Sequence, residues 1–207
     1  MPRSTRSGSP SGSIESEISG YGNSVQSRSS DTVEGPASGP VDEETQALLA
    51  ERAGELALSQ GLTVAVAESL TGGMIATALA AAERSSEWFL GSVVAYSSQV
   101  KHHVLDVPDG PVVSATAASA MARGVRQLLK ADVAVAVTGA GGPGGQDGRE
   151  PGTVFVAFDG ADEHRVLRLG LDDEPKIVCA TSAVASLRVL VEGLEVLAGE
   201  RRITDAG

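Results

Sequence analysis

Ser69 stands where an apolar run gives way to helix formers. Leu62-Thr63-Val64-Ala65-Val66 precedes Ala67-Glu68-Ser69-Leu70-Thr71-Gly72-Gly73, and the small apolar residues Met74 to Ala82 follow. The first run has the composition of a short buried strand and the last that of a helix. The Ser69 hydroxyl is therefore predicted at the carboxyl end of a strand, where open parallel sheets bind ligands. The amides of Thr71, Gly72 and Gly73 are expected to open the helix and to face an anion or a developing oxyanion. A serine at this place also makes an ordinary helix N-cap, which position alone favours. The chain has neither the Gly-x-Ser-x-Gly elbow of the α/β-hydrolases nor their arrangement of Ser, Asp and His. A nucleophilic Ser69 needs a different base.

Tyr96 and Lys101 offer one. Tyr96 closes an apolar run that begins at Phe89, and Lys101 follows about one helical turn into the next segment. Lys101, Lys130 and Lys176 are the only lysines in a chain that otherwise uses arginine. A lysine can give up its proton when buried or placed near other cations, which an arginine cannot. The competing reading is a solvated lysine beside His102 and His103, with a tyrosine packed on the core, and spacing alone favours it. A third element, Thr138-Gly139-Ala140-Gly141-Gly142-Pro143-Gly144-Gly145, follows the apolar run Asp132 to Val137. Glycines at a strand's end allow close backbone approach, so this loop is expected to present amides to a phosphate or carboxylate. It is neither a Walker sequence nor a dinucleotide fingerprint.

The elements that must carry these residues read as follows. A helix spans Asp42 to Gln60 and stops at Gly61, a strand runs from Leu62 to Ala67, and a helix from Thr71 ends near Ala82. Ser85 to Trp88 reads as a loop, Phe89 to Tyr96 as a second buried strand, and Ser98 to Leu105 as a short helix. Ser114 is the expected N-cap of a helix from Ala115 to Leu129. A strand over Asp132 to Val137 leads into the glycine-rich loop. Gly152 to Asp159 and Glu163 to Leu171 form a hairpin, and a helix from Glu174 to Leu197 closes the domain. Helical crossovers combined with one hairpin imply an α/β fold in three layers, α/β/α, with a mixed, mostly parallel sheet of about five strands.

Composition divides the chain. Residues 1–40, rich in Ser and Gly with little apolar clustering, read as a disordered polar tail. Residues 41–199 form one domain, and 200–207 a disordered end. No apolar run is expected to approach the roughly 20 residues that cross a bilayer, so the sequence predicts no membrane partner. A formal charge of −11 without Lys/Arg clusters argues against nucleic acid as a partner. Cys179 is the only cysteine, which excludes an internal disulfide and fits a reducing, cytoplasmic compartment. His102, His103 and His164 lack zinc-site spacing, and the two adjacent histidines read as the solvated edge of a helix.

Together, Ala-Glu-Ser-Leu-Thr-Gly-Gly at 67–73, Phe-Leu-Gly-Ser-Val-Val-Ala-Tyr-Ser-Ser-Gln-Val-Lys at 89–101, Ala-Val-Thr-Gly-Ala-Gly-Gly-Pro-Gly-Gly at 136–145 and Pro-Gly-Thr-Val-Phe-Val-Ala at 151–157 resemble the CinA carboxyl-terminal domain family. The resemblance runs from about Glu43 to Leu197. That family includes bacterial nicotinamide mononucleotide deamidases, which release ammonia and leave nicotinate mononucleotide. The resemblance implies Ser69, Tyr96 and Lys101 as catalytic residues, with Glu68, Thr71, Gly72, Gly73, Thr138, Gly139, Gly141, Gly142 and Gly144 around the substrate. It implies no metal and no cofactor, a nucleotide as the small-molecule partner, and a homo-oligomer, with a dimer favoured. The alternative is a CinA-like module without deamidase activity that binds a nucleotide or a protein in competence or DNA-damage responses. Two departures stand out. The family usually has Cys at the position of Leu70, and its Gly-Asp-Arg before the last helix corresponds to Asp172-Asp173-Glu174, so that Glu174 replaces a cation with an anion.

Overall fold

The computed structural model of the chain describes residues 43–172 and 174–204, so the tail expected over 1–40 lies outside the described residues. In chain order the elements are α1 (Glu43–Gln60), β1 (Val64–Glu68), α2 (Met74–Ala81), α3 (Ser85–Trp88), β2 (Phe89–Val94), α4 (Ser98–Val104), α5 (Ala115–Leu129), β3 (Val133–Gly139), β4 (Thr153–Asp159), β5 (His164–Gly170) and α6 (Pro175–Thr204). The strands build one five-stranded sheet in the order β2-β1-β3-β4-β5. β2, β1 and β3 run parallel, whereas β4 and β5 are antiparallel additions. Helices cover both faces, which is the mixed three-layer α/β arrangement predicted.

The strand sequences explain the layering. Side chains alternate across a sheet, and β1 and β3 alternate Val with Ala. Val64, Val66, Val133, Val135 and Val137 enter the core shared with α1, α2 and α6, while Ala65, Ala67, Ala134 and Ala136 enter the core shared with α5. Each fully buried valine contributes roughly 1.5–3 kcal/mol relative to an exposed one. The alanine face instead allows close approach. In α5, a Cβ added to Gly124 would stand 2.2 Å from the carbonyl oxygen of Leu105, the residue that ends α4. The α5 cap is as expected, Ser114 Oγ accepting from Ala117 N at 3.1 Å.

Four expectations are corrected. Ser85 to Trp88 is a short helix, because the Trp88 ring is fully buried against Gly54, where a Cβ would lie 2.9 Å from the indole. β2 is an edge strand that leaves Leu90 and Val94 exposed, and it stops at Val94 rather than Tyr96. α2 begins at Met74, three residues later than read, because Thr71 to Gly73 form a turn. α6 continues to Thr204, so residues 200–204, expected as a disordered end, are helical. Its segment Pro175–Gly199 is apolar and long enough to cross a membrane. It is instead a core helix: Val178, Ala183, Leu187, Leu190 and Leu194 are buried beneath the sheet and α1.

Candidate active site

A buried carboxylate shapes the turn after β1. Glu68, the last residue of β1, is fully buried. Its Oε2 accepts from Thr71 Oγ1 at 2.7 Å, Gly73 N at 3.0 Å and Ile75 N at 3.2 Å, and its Oε1 accepts from Ala76 N at 2.9 Å. The first amides of α2, which would otherwise lack partners, are thus satisfied from within the chain. Groups of three residues expected around the substrate are thus engaged within the turn. The Glu68 carboxylate and Thr71 hydroxyl hold each other, and the Gly73 amide is already engaged. The Gly72 amide donates to Ser69 O at 3.1 Å. Among the described residues, nothing accepts from the amides of Leu70 and Thr71 at this turn.

Ser69 is not the cap of α2; that place falls to Gly73, with φ +108° and no side-chain cap. Only 6% of Ser69 is exposed, and it lines a cleft of about 370 Å³. Among the described residues, nothing hydrogen-bonds to its hydroxyl. A nearly buried serine with an unpartnered hydroxyl on a cleft wall is available for chemistry rather than for structure.

Next to it, the chain leaving β2 is tied to the end of β1 by Ala95 N donating to Glu68 O at 2.7 Å. Tyr96 therefore follows beside Ser69. Its side chain is 76% exposed and lines the cleft at the rim, rather than packing on the core. Ser97 then caps α4, accepting from Val100 N. Lys101, on α4, is 1% exposed, and its Nζ donates to Ala95 O at 2.7 Å and Tyr96 O at 3.2 Å. Desolvation lowers its pKa to about 8, against an opposing pull from the Asp147 carboxylate. Lys101 is therefore not a solvated surface lysine. It lies beneath the main chain of Tyr96, outside the cleft lining.

The opposite wall is the glycine-rich loop. Gly139, Ala140, Gly141, Gly142, Gly144 and Gly145 line the cleft. Among the described residues, nothing accepts from the amides of Gly141, Gly142, Gly144 and Gly145. A Cβ at Gly141 would meet Leu70 Cβ at 3.5 Å and Cys179 Sγ at 3.9 Å, ordinary contact distances, so this stretch of the loop runs close to Leu70 and Cys179 without requiring a glycine. Thr138 departs from expectation. It is 1% exposed, and its hydroxyl donates to Val112 O at 2.7 Å, so it supports the loop from below.

The structure thus brings Ser69, Tyr96, Gly139, Gly141, Gly142 and Gly144 to one cleft and places Glu68, Thr71, Gly72, Gly73, Thr138 and Lys101 behind or beside it. Sequence reasoning missed Gln146, Pro175 and Cys179 in the lining. Cys179 Sγ donates to Leu70 O at 3.1 Å, and burial raises its thiol pKa, which leaves it a weak nucleophile. None of the lining residues is charged. Glu174 is exposed at the entry to α6, next to the lining residue Pro175.

Comparison with known proteins gives a consistent picture. A family model described as CinA C-terminal domain matches residues 46–194. A protein of Desulforudis audaxviator (strain MP104C) that carries a competence-damage inducible name is 41% identical over 143 residues, covering 66% of this chain and 35% of that protein. A Bacillus cereus (strain AH187) protein of the same name is 40% identical over 138 residues, covering 64% and 31%. The chain thus spans about a third of the length of these curated relatives. Among solved structures, a competence-damaged protein (CinA) superfamily protein from Escherichia coli superposes with a TM-score of 0.69 at 30% identity, covering 72% of this chain and 91% of that one. The competence/damage inducible protein CihA from Agrobacterium tumefaciens gives 0.67 at 30%, covering 73% and 96%.

Proposed function

The chain belongs to the CinA C-terminal domain family, and we propose that it is an amidohydrolase that converts nicotinamide mononucleotide to nicotinate mononucleotide and ammonia. The carrying observation is Ser69, a 6% exposed residue whose solvent-accessible hydroxyl has no partner among the described residues, on one cleft with glycines whose amides are unengaged. In this reading Ser69 Oγ forms a bond to the carboxamide carbon as its proton leaves. The C–N bond breaks, that proton reaches the departing nitrogen as ammonia forms, and water then hydrolyses the ester. The amides of Leu70 and Thr71 are the donors nearest in sequence for the oxyanion, each worth about 3 kcal/mol in comparable sites.

Lys101 suits the base. A neutral amine has two N–H bonds, and two carbonyls, those of Ala95 and Tyr96, already accept from its Nζ. The lone pair then remains for a proton from Ser69. With its pKa near 8, a useful fraction of Lys101 is neutral at neutral pH. Tyr96, at the rim, would close over the pyridine ring. The ribose phosphate would rest on the amides of Gly141, Gly142, Gly144 and Gly145. A cytoplasmic homodimer belongs to the same reading, supported by Leu90 and Val94 exposed along the β2 edge beside Tyr96.

Three observations favour the second reading, a CinA-like module that binds a nucleotide or a protein partner without turnover. The Tyr96 side chain stands in solvent, Lys101 Nζ is bonded to main-chain carbonyls rather than to Ser69, and the cleft lining carries no cation for a phosphate. Ammonia release from nicotinamide mononucleotide by the purified protein decides between them. Release that disappears in Ser69→Ala, with the fold retained, is the expected result. Calorimetric binding of the nucleotide with no ammonia above the Ser69→Ala level would select the second reading.

A further inference from the structure

We propose that Asp147 is a positioning residue that latches the glycine-rich loop to the segment backing Lys101, so that the loop amides and the lysine are set as one unit. This rests on the roles given above to the loop and to Lys101. Asp147 does not line the cleft. It sits on a two-residue turn closed by Gln146 N to Arg149 O at 3.2 Å and Arg149 N to Gln146 O at 2.9 Å. Asp147 and Gly148 have φ of +56° and +71°, the left-handed pair that an Asp-Gly sequence adopts most readily. The turn aims the carboxylate away from the loop. Its Oδ2 accepts from Val112 N at 2.6 Å and Val113 N at 3.0 Å.

Val112 and Val113 are 2% and 1% exposed, whereas Asp147 is exposed, so the carboxylate reaches from the surface to hold two amides of otherwise buried residues. From them a chain of bonds leads to the lysine. Val112 O accepts from Thr138 Oγ1 at 2.7 Å, which fixes the start of the loop to the same segment. Five residues earlier, Val107 N donates to Lys101 O at 3.1 Å, and Val107 O lies 2.8 Å from His102 Nδ1. Pro108 and Pro111 stiffen the connection between these two anchor points. The loop, the 107–113 segment and α4 are thereby joined on the side of the sheet end opposite Cys179 and Pro175. The charged or titratable residues near Lys101 include Tyr96, whose carbonyl accepts from its Nζ, His102 and His103 on α4, Asp106 just beyond it, and Asp147 from the loop. Of these, Asp147 is the one whose field raises the Lys101 pKa.

Two substitutions separate position from charge. Both amides go to a single oxygen, so Asp147→Asn keeps an acceptor there and removes the charge, whereas Asp147→Ala removes both. The Val112 and Val113 amides are followed by hydrogen exchange. Lys101 is followed by carbon-13 resonance of labelled lysine, where three residues give a resolvable spectrum. Asp147→Ala is expected to speed exchange at both amides about tenfold or more, and to lower kcat/KM for ammonia release by about the same factor. Asp147→Asn is expected to keep the amides protected while moving the Lys101 titration to lower pH, together with the acid limb of the rate profile. Unchanged exchange in Asp147→Ala, or an unmoved Lys101 titration in Asp147→Asn, overturns the latch. If the parent protein releases no ammonia, the proposed activity falls, while exchange and titration still decide the role of Asp147.

Discussion

Replacing Glu68 tests how the turn that carries Ser69 is held. Its carboxylate serves four donors, but these differ in their access to water. In Glu68→Ala, the amides of Gly73 and Ala76 lie in half-buried residues and can find water. The Thr71 hydroxyl and Ile75 amide belong to residues 3% and 0% exposed and cannot. Two stranded donors at about 1–3 kcal/mol each give a loss of roughly 4 kcal/mol, a large share of the 5–15 kcal/mol typical of a domain. Glu68→Gln should cost about 2 kcal/mol. Its carbonyl can replace Oε2 for three donors, but its amino group would face the Ala76 amide, donor against donor. Urea unfolding followed by circular dichroism measures both, with ΔG taken from midpoint and slope. Losses below about 1 kcal/mol in both variants, or a Gln variant no better than Ala, would refute the idea that this carboxylate anchors the turn.

Two further outcomes follow from burial. Lys101 has a folded pKa of about 8 against an ordinary 10.5, so between those values the unfolded chain binds more protons, and stability should rise as pH climbs through that window. Lys101→Met should flatten the rise in chemical unfolding measured from pH 7 to 10, and an unchanged slope would exclude the depressed lysine. Gly124→Ala should lower the melting temperature by on the order of 5 °C, since its Cβ would meet the Leu105 carbonyl at 2.2 Å. A mid-helix Gly→Ala change ordinarily stabilises, so a raised melting temperature would show that α5 can move away.

What the sequence discloses here is local. The Val-Ala alternation of β1 and β3, the Ser114 cap and the hairpin are written in adjacent residues, and the structure places them within a residue or two of where they were read. The placement of Ser69 at a strand end follows from the same short-range pattern. What escaped reading depends on contacts remote in sequence. Trp88 makes a helix of its segment because Gly54 leaves room for its ring. β2 becomes an edge because β3 takes the other side of β1, which nothing in Phe89 to Val94 records. The family resemblance puts Glu68 around the substrate, whereas its donors arrive from the turn folding back over it. Asp147 was passed over because its partners, Val112 and Val113, lie 35 and 34 residues upstream.

The last helix has a consequence for how this chain comes into being. The valine face of the sheet is closed by α1 and α6 together, with Arg52 Nη2 reaching Glu195 Oε1 at 3.1 Å and Gln60 Nε2 donating to Leu194 O at 3.0 Å. During synthesis all five strands therefore emerge before the second half of that cover, α6. Until the segment around Leu187 to Leu194 has cleared the ribosome, the nascent domain carries an open apolar face and a first helix without its counterpart. Closing that face joins residues more than 130 positions apart, as the Gln60 to Leu194 bond shows, so the slow step of folding is expected to be the docking of α6. A stop codon or proteolytic cut before that helix would leave a sticky sheet rather than a shortened domain.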